Sequence, residues 1–238
     1  NEFSKYISVI LPVYNEVENI VPLYQELMDV LQKTNQSFEI LFVDDGSSDN
    51  SLSIIKNIQQ TNSCIRVVEF RKQFGQTAAL AAGFDLAKGE IIVTLDADGQ
   101  NDPADIPKML DELEKGFDLV CGWRYRRKDN WLLRVLPSKL ANALISMLTD
   151  IKLHDYGCTL KVMRAEVAKR LDLYGEQHRL IPALISWYGV TITEIKVNHR
   201  KRVSGKSKYG MDNNIKASID RLTGNISLSH IKDVVEKI

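Results

Sequence analysis

Along the first half of the chain, short apolar runs alternate with longer stretches in which apolar residues recur every three or four positions. The runs are "YISVILP", "FEILFV", "IRVVEF", "EIIVTL" and "DLVCGW", starting at Tyr6, Phe38, Ile65, Glu90 and Asp118. Between them lie "EVENIVPLYQELMDVLQ", "SLSIIKNIQQ", "GQTAALAAGFDLAKG" and "PADIPKMLDELEKG". Runs of four to eight apolar residues predict buried strands, and the 3.6-residue period between them predicts helices. Regular alternation of the two predicts an α/β fold, a mostly parallel, Rossmann-like sheet with helices on both faces.

After Trp123 the rhythm changes. A basic "WRYRRKDN" leads into the amphipathic stretch 131–149, a loop "DIKLHDYGC", a strand "TLKVMR", a helix within "EQHRLIPALISWYG" and a strand "TITEIKVNHR". Beyond a basic loop, residues 213–238 predict two short helices, ended by Gly224 and started by Ser229. The expected division is a main domain over 1–212 and a helical appendage over 213–238.

In a parallel α/β sheet, ligands bind beyond the carboxyl ends of the strands. Here those ends read "PVYNE", "DDGSSDNS", "RKQFG" and "DADGQ". Polar side chains thus gather at one edge, which burial alone does not require. The Asp96-x-Asp98 pair is the sharpest signal. On an extended chain residues two apart point the same way, and paired carboxylates call for a cation between them. Helix capping accounts for Asp102 but not for the pair. "PVYNE" and "DDGSSDNS" each have a second reading as a turn and a capped helix start, with Asp49 or Ser51 as cap.

Composition narrows the partners. The 238 residues are 44% hydrophobic, enough for a sizeable core, and 31 basic residues balance 31 acidic ones, which argues against nucleic acid. Positive charge is local, with five Lys or Arg in 199–208 and four in 124–128. Cys64, Cys121 and Cys158 lack metal-site spacing and read as reduced thiols of a cytosolic compartment. No signal peptide is read at the start. Residues 131–149 contain Arg134, Pro137 and Lys139, so they read as an interfacial rather than a spanning helix.

Taken together, "ILPVYNE", "VDDGSSDNS", "AKGEIIVTLDADGQNDP", "DYGCTLKVMR" and "HRKRVSGKSKYG" resemble the inverting glycosyltransferases of family 2, with the GT-A fold. The likeness spans about residues 6–212. The last two stretches resemble those of polyprenyl-phosphate glycosyltransferases, the group of dolichyl-phosphate mannose synthase and bactoprenol glucosyltransferases. The resemblance implies a nucleotide-sugar donor (UDP- or GDP-linked), a polyprenyl-phosphate acceptor and Mg²⁺ or Mn²⁺. It implies that Pro12, Tyr14 and Glu16 lie against the nucleotide and that Asp44 accepts hydrogen bonds from base or ribose. Asp98 becomes the direct metal ligand, Asp96 faces the ribose or a metal-bound water, and Gln100 reaches the sugar or the acceptor phosphate.

The acceptor side stays more open. Asp155 holds the family position of a general base. A lipid phosphate has a second pKa of about 6 and is already largely ionised at neutral pH, so Asp155 has a second reading as an orienting group. Arg200, Arg202, Ser207 and Lys208 are expected to bind the donor diphosphate and acceptor phosphate, with His178 and Arg179 as further donors. A solvated charge run or a contact with anionic lipid also accounts for that loop. The Gln-x-x-Arg-Trp pattern of processive synthases is missing from "EQHRLIPALISWYG", which predicts transfer of one sugar rather than chain elongation.

Many relatives in this group continue into transmembrane helices. None is read here, so peripheral contact with the cytoplasmic face of a membrane is expected through 131–149. The same stretch has an alternative as a face packed into the domain or against a second subunit in a homo-oligomer. A soluble transferase acting on a glycan or another hydroxyl, and a non-catalytic nucleotide-sugar binding protein, are the competing functions.

Overall fold

The structure is a computed structural model that describes residues 6–125 and 151–201. The stretch 131–149, Arg202, Ser207, Lys208 and the 213–238 appendage lie outside the described residues. Among the described residues, seven strands form one sheet, in spatial order β3-β2-β1-β4-β6-β5-β7. They are β1 (Ile7–Val13), β2 (Phe38–Asp44), β3 (Ile65–Glu69), β4 (Ile91–Thr94), β5 (Leu119–Arg124), β6 (Lys161–Arg164) and β7 (Ile192–Val197). β1 pairs in parallel with β2 and β4, from Ile7↔Phe38 to Val13↔Asp44 and from Ile7↔Ile91 to Ile10↔Thr94. β2 and β3, and β5 and β7, are also parallel. The expected mostly parallel sheet is therefore present, with one reversal. β6 runs antiparallel between β4 and β5, with Thr94 opposite Lys161.

The helices are α1 (Ile20–Leu31), α2 (Ser51–Thr61), α3 (Gln76–Leu86), α4 (Ile106–Glu114), α5 (Ala165–Ala168) and α6 (Ile181–Ser186). They cover both faces, and the sheet separates two cores because successive strand residues point to opposite sides. Val9 and Leu11 join the core under α1 and α4, with Leu23, Leu27, Met109 and Leu113. Ile10 joins the opposite core, with Leu80, Phe84, Ile181 and Ile185. α3 can sit this close to the sheet because Gly83 lacks a side chain. A Cβ there would come within 2.4 Å of Ile10 Cγ2.

The reversal of β6 has a direct consequence for chemistry. A parallel strand presents its last residue at the carboxyl edge, whereas a reversed strand presents its first. Lys161 and the loop 154–160 ahead of it therefore sit at the same edge as the ends of β2, β4 and β5. No helix among the described residues is long and apolar enough to cross a membrane.

Candidate active site

The carboxyl edge is held together by side chains acting on backbone. Asn15, in the left-handed region with φ 53°, accepts through Oδ1 from the N–H groups of Ser48 (2.8 Å) and Asp49 (3.3 Å). The Ser51 hydroxyl accepts from Glu16 N–H at 2.9 Å. Asp49 Oδ1 accepts from Ser51 N–H at 2.9 Å, but the residue at the N-cap of α2 is Asn50, whose side chain makes no cap bond, so neither Asp49 nor Ser51 is the cap. Glu16 is buried and accepts from Asn19 Nδ2 at 2.6 Å, so it opens α1 from within the fold.

Asp44 and Asp45 end β2 with different tasks. Asp45 accepts from the N–H groups of Phe74 (2.7 Å) and Gly75 (2.9 Å), which pins the loop leading into α3. Burial pushes its carboxyl above the usual range despite these bonds. Gly46 packs against the same loop with φ +70°. Asp44 is buried; its Oδ2 accepts from Ser47 N–H at 3.0 Å, while its Oδ1 has no hydrogen-bond partner among the described residues. A buried carboxylate oxygen without a donor is costly, and a ligand N–H or O–H would relieve it.

The premise about Asp96 and Asp98 changes here. β4 ends at Thr94 and residues 97–98 form a turn, so the pair is not on an extended strand. Asp96 turns inward, its Oδ1 accepting from Gln76 Nε2 at 2.6 Å and its carboxylate also bonded by the Thr159 hydroxyl. It lines a small cavity together with Pro12, Gln76, Thr159, Lys161 and His178. Burial raises its pKa, opposed by the Thr159 bond and the charges of Arg124 and Lys161. Asp98 lies in the turn, partly exposed, and accepts from Gln100 N–H at 3.1 Å. Asp102 caps the helical turn before α4 by accepting from Ala104 N–H at 3.0 Å, as expected.

The basic segment reaches this turn. Asn101 and His199 form a β-bridge, and Arg200 N–H donates to Gln100 O at 2.9 Å. The Arg200 guanidinium bonds Glu26 of α1 and Asp102, each at 2.7 Å. Two carboxylates already take its charge, and it fastens the root of the basic loop to the Asp98 turn.

Asp155 is fixed within the fold. It is buried and receives Arg124 Nε (2.7 Å) and Nη2 (2.9 Å) in a bidentate pair. Burial opposes the charge of Arg124, and the Asp155 bonds outweigh it to hold that pKa above its ordinary value. A carboxylate paired in this bidentate way is held in one orientation by the guanidinium. His178 is buried against Thr77 Oγ1 at 2.7 Å. Burial and neighbouring cations push its pKa down to about 3, so it is a neutral imidazole and not a cationic donor at neutral pH. Arg179 is exposed, and Tyr14 is partly buried beyond the end of β1. Cys121 and Cys158 are pushed by burial to about 12 and about 11 and remain protonated thiols.

Gln76, Lys161 and Arg124 carry this geometry without having been expected to, since their spacing in sequence is uninformative. Lys161 is 2% exposed and donates to Cys158 O. Among the described residues no three His, Cys, Asp or Glu side chains converge as a complete metal site. The partly exposed Asp98 carboxylate fits Mg²⁺ or Mn²⁺, hard cations that take few protein ligands and complete their shell with phosphate oxygens and water.

Comparison with known proteins agrees with this edge. Residues 8–172 match the family described as Glycosyl transferase family 2. The chain is 43% identical over 223 residues to the dodecaprenyl-phosphate galacturonate synthase of Rhizobium johnstonii, covering 91% of this chain and 65% of that protein. It is 36% identical over 220 residues to the undecaprenyl-phosphate 4-deoxy-4-formamido-L-arabinose transferase of Edwardsiella ictaluri, covering 92% of this chain and 67% of that one. The chain thus spans about two thirds of the length of these curated relatives. In fold, it superposes on a Pyrobaculum calidifontis mannosyltransferase in complex with GDP-Man and Mn²⁺ with TM-score 0.63 at 20% identity, over 88% of this chain and 59% of that one. Glucosyl-3-phosphoglycerate synthase from Mycobacterium tuberculosis, with Mn²⁺, UDP and phosphoglyceric acid, gives 0.63 at 21% identity, over 83% and 72%. With its strand-end carboxylates, its seven-stranded mixed sheet of GT-A type and the family match over most of its length, the chain belongs to glycosyl transferase family 2.

Proposed function

We propose that the protein transfers one sugar, with inversion, from a UDP- or GDP-sugar to a polyprenyl phosphate at the cytoplasmic face of a membrane. Asp44 receives the nucleoside, its unpartnered Oδ1 accepting from base or ribose. Asp98 holds the divalent cation, with Asp96 behind it. When bound, Mg²⁺ or Mn²⁺ neutralises charge developing on the departing diphosphate. Gln100 lies beside the sugar. An oxygen of the acceptor phosphate forms the new bond to the anomeric carbon. The bond from that carbon to the diphosphate breaks, and the nucleoside diphosphate leaves with the electron pair.

The observation that carries the acceptor class is the Arg124–Asp155 pair. A hydroxyl acceptor needs a base, and the carboxylate at the base position is committed to a buried guanidinium. A phosphate ionised at neutral pH needs no base. The two relatives described above are named for polyprenyl-phosphate substrates, which supports the same reading.

The test is a transfer screen of UDP- and GDP-linked hexoses and hexuronates with Mg²⁺ or Mn²⁺. Acceptors are undecaprenyl phosphate in anionic vesicles and, separately, water-soluble glycans. Transfer to the lipid phosphate alone, with salt-sensitive vesicle binding, is expected. Efficient transfer to a soluble hydroxyl without vesicle binding would overturn the reading.

A further inference from the structure

The start of α3 reaches into the candidate donor site through two consecutive side chains. Gln76 donates to Asp96 Oδ1, and Thr77 meets His178 Nδ1. The position of this helix end is fixed from below, because Asp45 takes the N–H groups of Phe74 and Gly75 immediately ahead of it. Asp96, by contrast, lies beyond the last strand residue Thr94. With no ladder to hold its backbone, its carboxylate rotates about χ1 and χ2 unless donors restrain it. Among the described residues, the two cations acting on it are engaged elsewhere, Arg124 with Asp155 and Lys161 with Cys158 O. The restraint therefore comes from the Thr159 hydroxyl on one side and the Gln76 amide on the other. Of these, only Gln76 connects Asp96 to the end of β2 that carries Asp44.

Resting on the reading of this edge as a nucleotide-sugar donor site, we propose that Gln76 is a positioning residue that aims the Asp96 carboxylate at the bound nucleotide and so sets donor affinity from α3. A neutral amide suits the task. It donates a charge-assisted hydrogen bond without adding a charge that would neutralise the carboxylate. Gln76→Leu keeps the side-chain bulk and removes the donor; Gln76→Glu keeps the shape and faces Asp96 with a second carboxylate.

The test is calorimetric binding of UDP and of GDP in Mn²⁺ to the wild type, Gln76→Leu, Gln76→Glu, Asp96→Ala and Gln76→Leu/Asp96→Ala, with thermal melts as a control on folding. For the nucleotide that the wild type binds, Gln76→Leu is expected to weaken binding about tenfold. It should raise the donor KM by a similar factor with little change in kcat, and Gln76→Glu should be worse than Gln76→Leu. In the Asp96→Ala background the Leu substitution should cost nothing further, the coupling expected of a residue acting through another. Unchanged affinity, or an equal loss in both backgrounds, would overturn the proposal while leaving the donor site standing. A wild type that binds neither nucleotide would overturn the donor site itself, and the role of Gln76 with it.

Discussion

Asp98 and His178 show how position decides what an ionisable side chain does. Asp98 lies partly exposed in its turn, so Asp98→Asn should leave the fold intact while removing a charge that stabilises the departing diphosphate. A loss on the order of 3 kcal/mol, about a hundredfold in turnover, is expected in a transfer assay with an unchanged melting curve. His178 is the opposite case. Its folded pKa of about 3 lies below the ordinary value of 6.5, so between these pH values the unfolded chain binds the proton and the native state does not. Its contribution to stability is fully present above about pH 6.5 and is lost as pH falls toward 3. Denaturant titrations at pH 7 and pH 4.5 should show a smaller acid loss for His178→Gln than for the wild type. The comparison is between variants because Asp45 and Asp96, with raised pKa values, act in the opposite direction over the acid range. Nothing in "EQHRLIP" marks His178 as buried, because the residues that enclose it come from α3 and β6.

Loops at the carboxyl edge are placed by contacts between elements, and two substitutions probe them. A Cβ on Gly46 would lie 2.6 Å from the Lys72 carbonyl carbon, on backbone with φ +70°. Gly46→Ala should therefore cost on the order of 2 kcal/mol in unfolding free energy, read from a denaturant midpoint. The Arg200 bracket is milder, since both Arg200 and Glu26 are about two-fifths exposed and solvent screens the pair. Arg200→Ala should cost about 1 kcal/mol or less. Its larger effect is expected on transfer, through the loosened root of the basic loop, and Glu26→Ala in the same chain should add little. Equal weakening of free nucleotide binding and of acceptor use would instead assign Arg200 to the donor. Element type was legible beforehand: every strand and helix expected within the described residues is present, because burial period is a local property. The inward turn of Asp96 was not, since the pattern does not say where a strand stops bending toward its neighbours.

For the molecule as a whole, the proposed cation is expected to bind together with the nucleotide, since among the described residues no three His, Cys, Asp or Glu side chains converge. Excess EDTA should abolish transfer yet leave the melting temperature of the free protein unchanged, while nucleotide plus Mn²⁺ should raise it by mass action. Full activity in EDTA would exclude the cation. Sequence by itself determined the α/β class, the alternation of elements, the gathering of polar residues at the strand ends and the resemblance to family 2. Each of these follows from one residue type at one position, since hydrophobic period reports burial and strand ends are punctuated locally. The tertiary structure alone decided the reversal of β6, which carries Lys161 to the active edge. It also decided the pairing of Asp155 with Arg124 across 31 residues and of Arg200 with Glu26 across 174. Those are properties of two residues brought together by sheet order, and no single stretch of chain encodes a partner that another strand delivers.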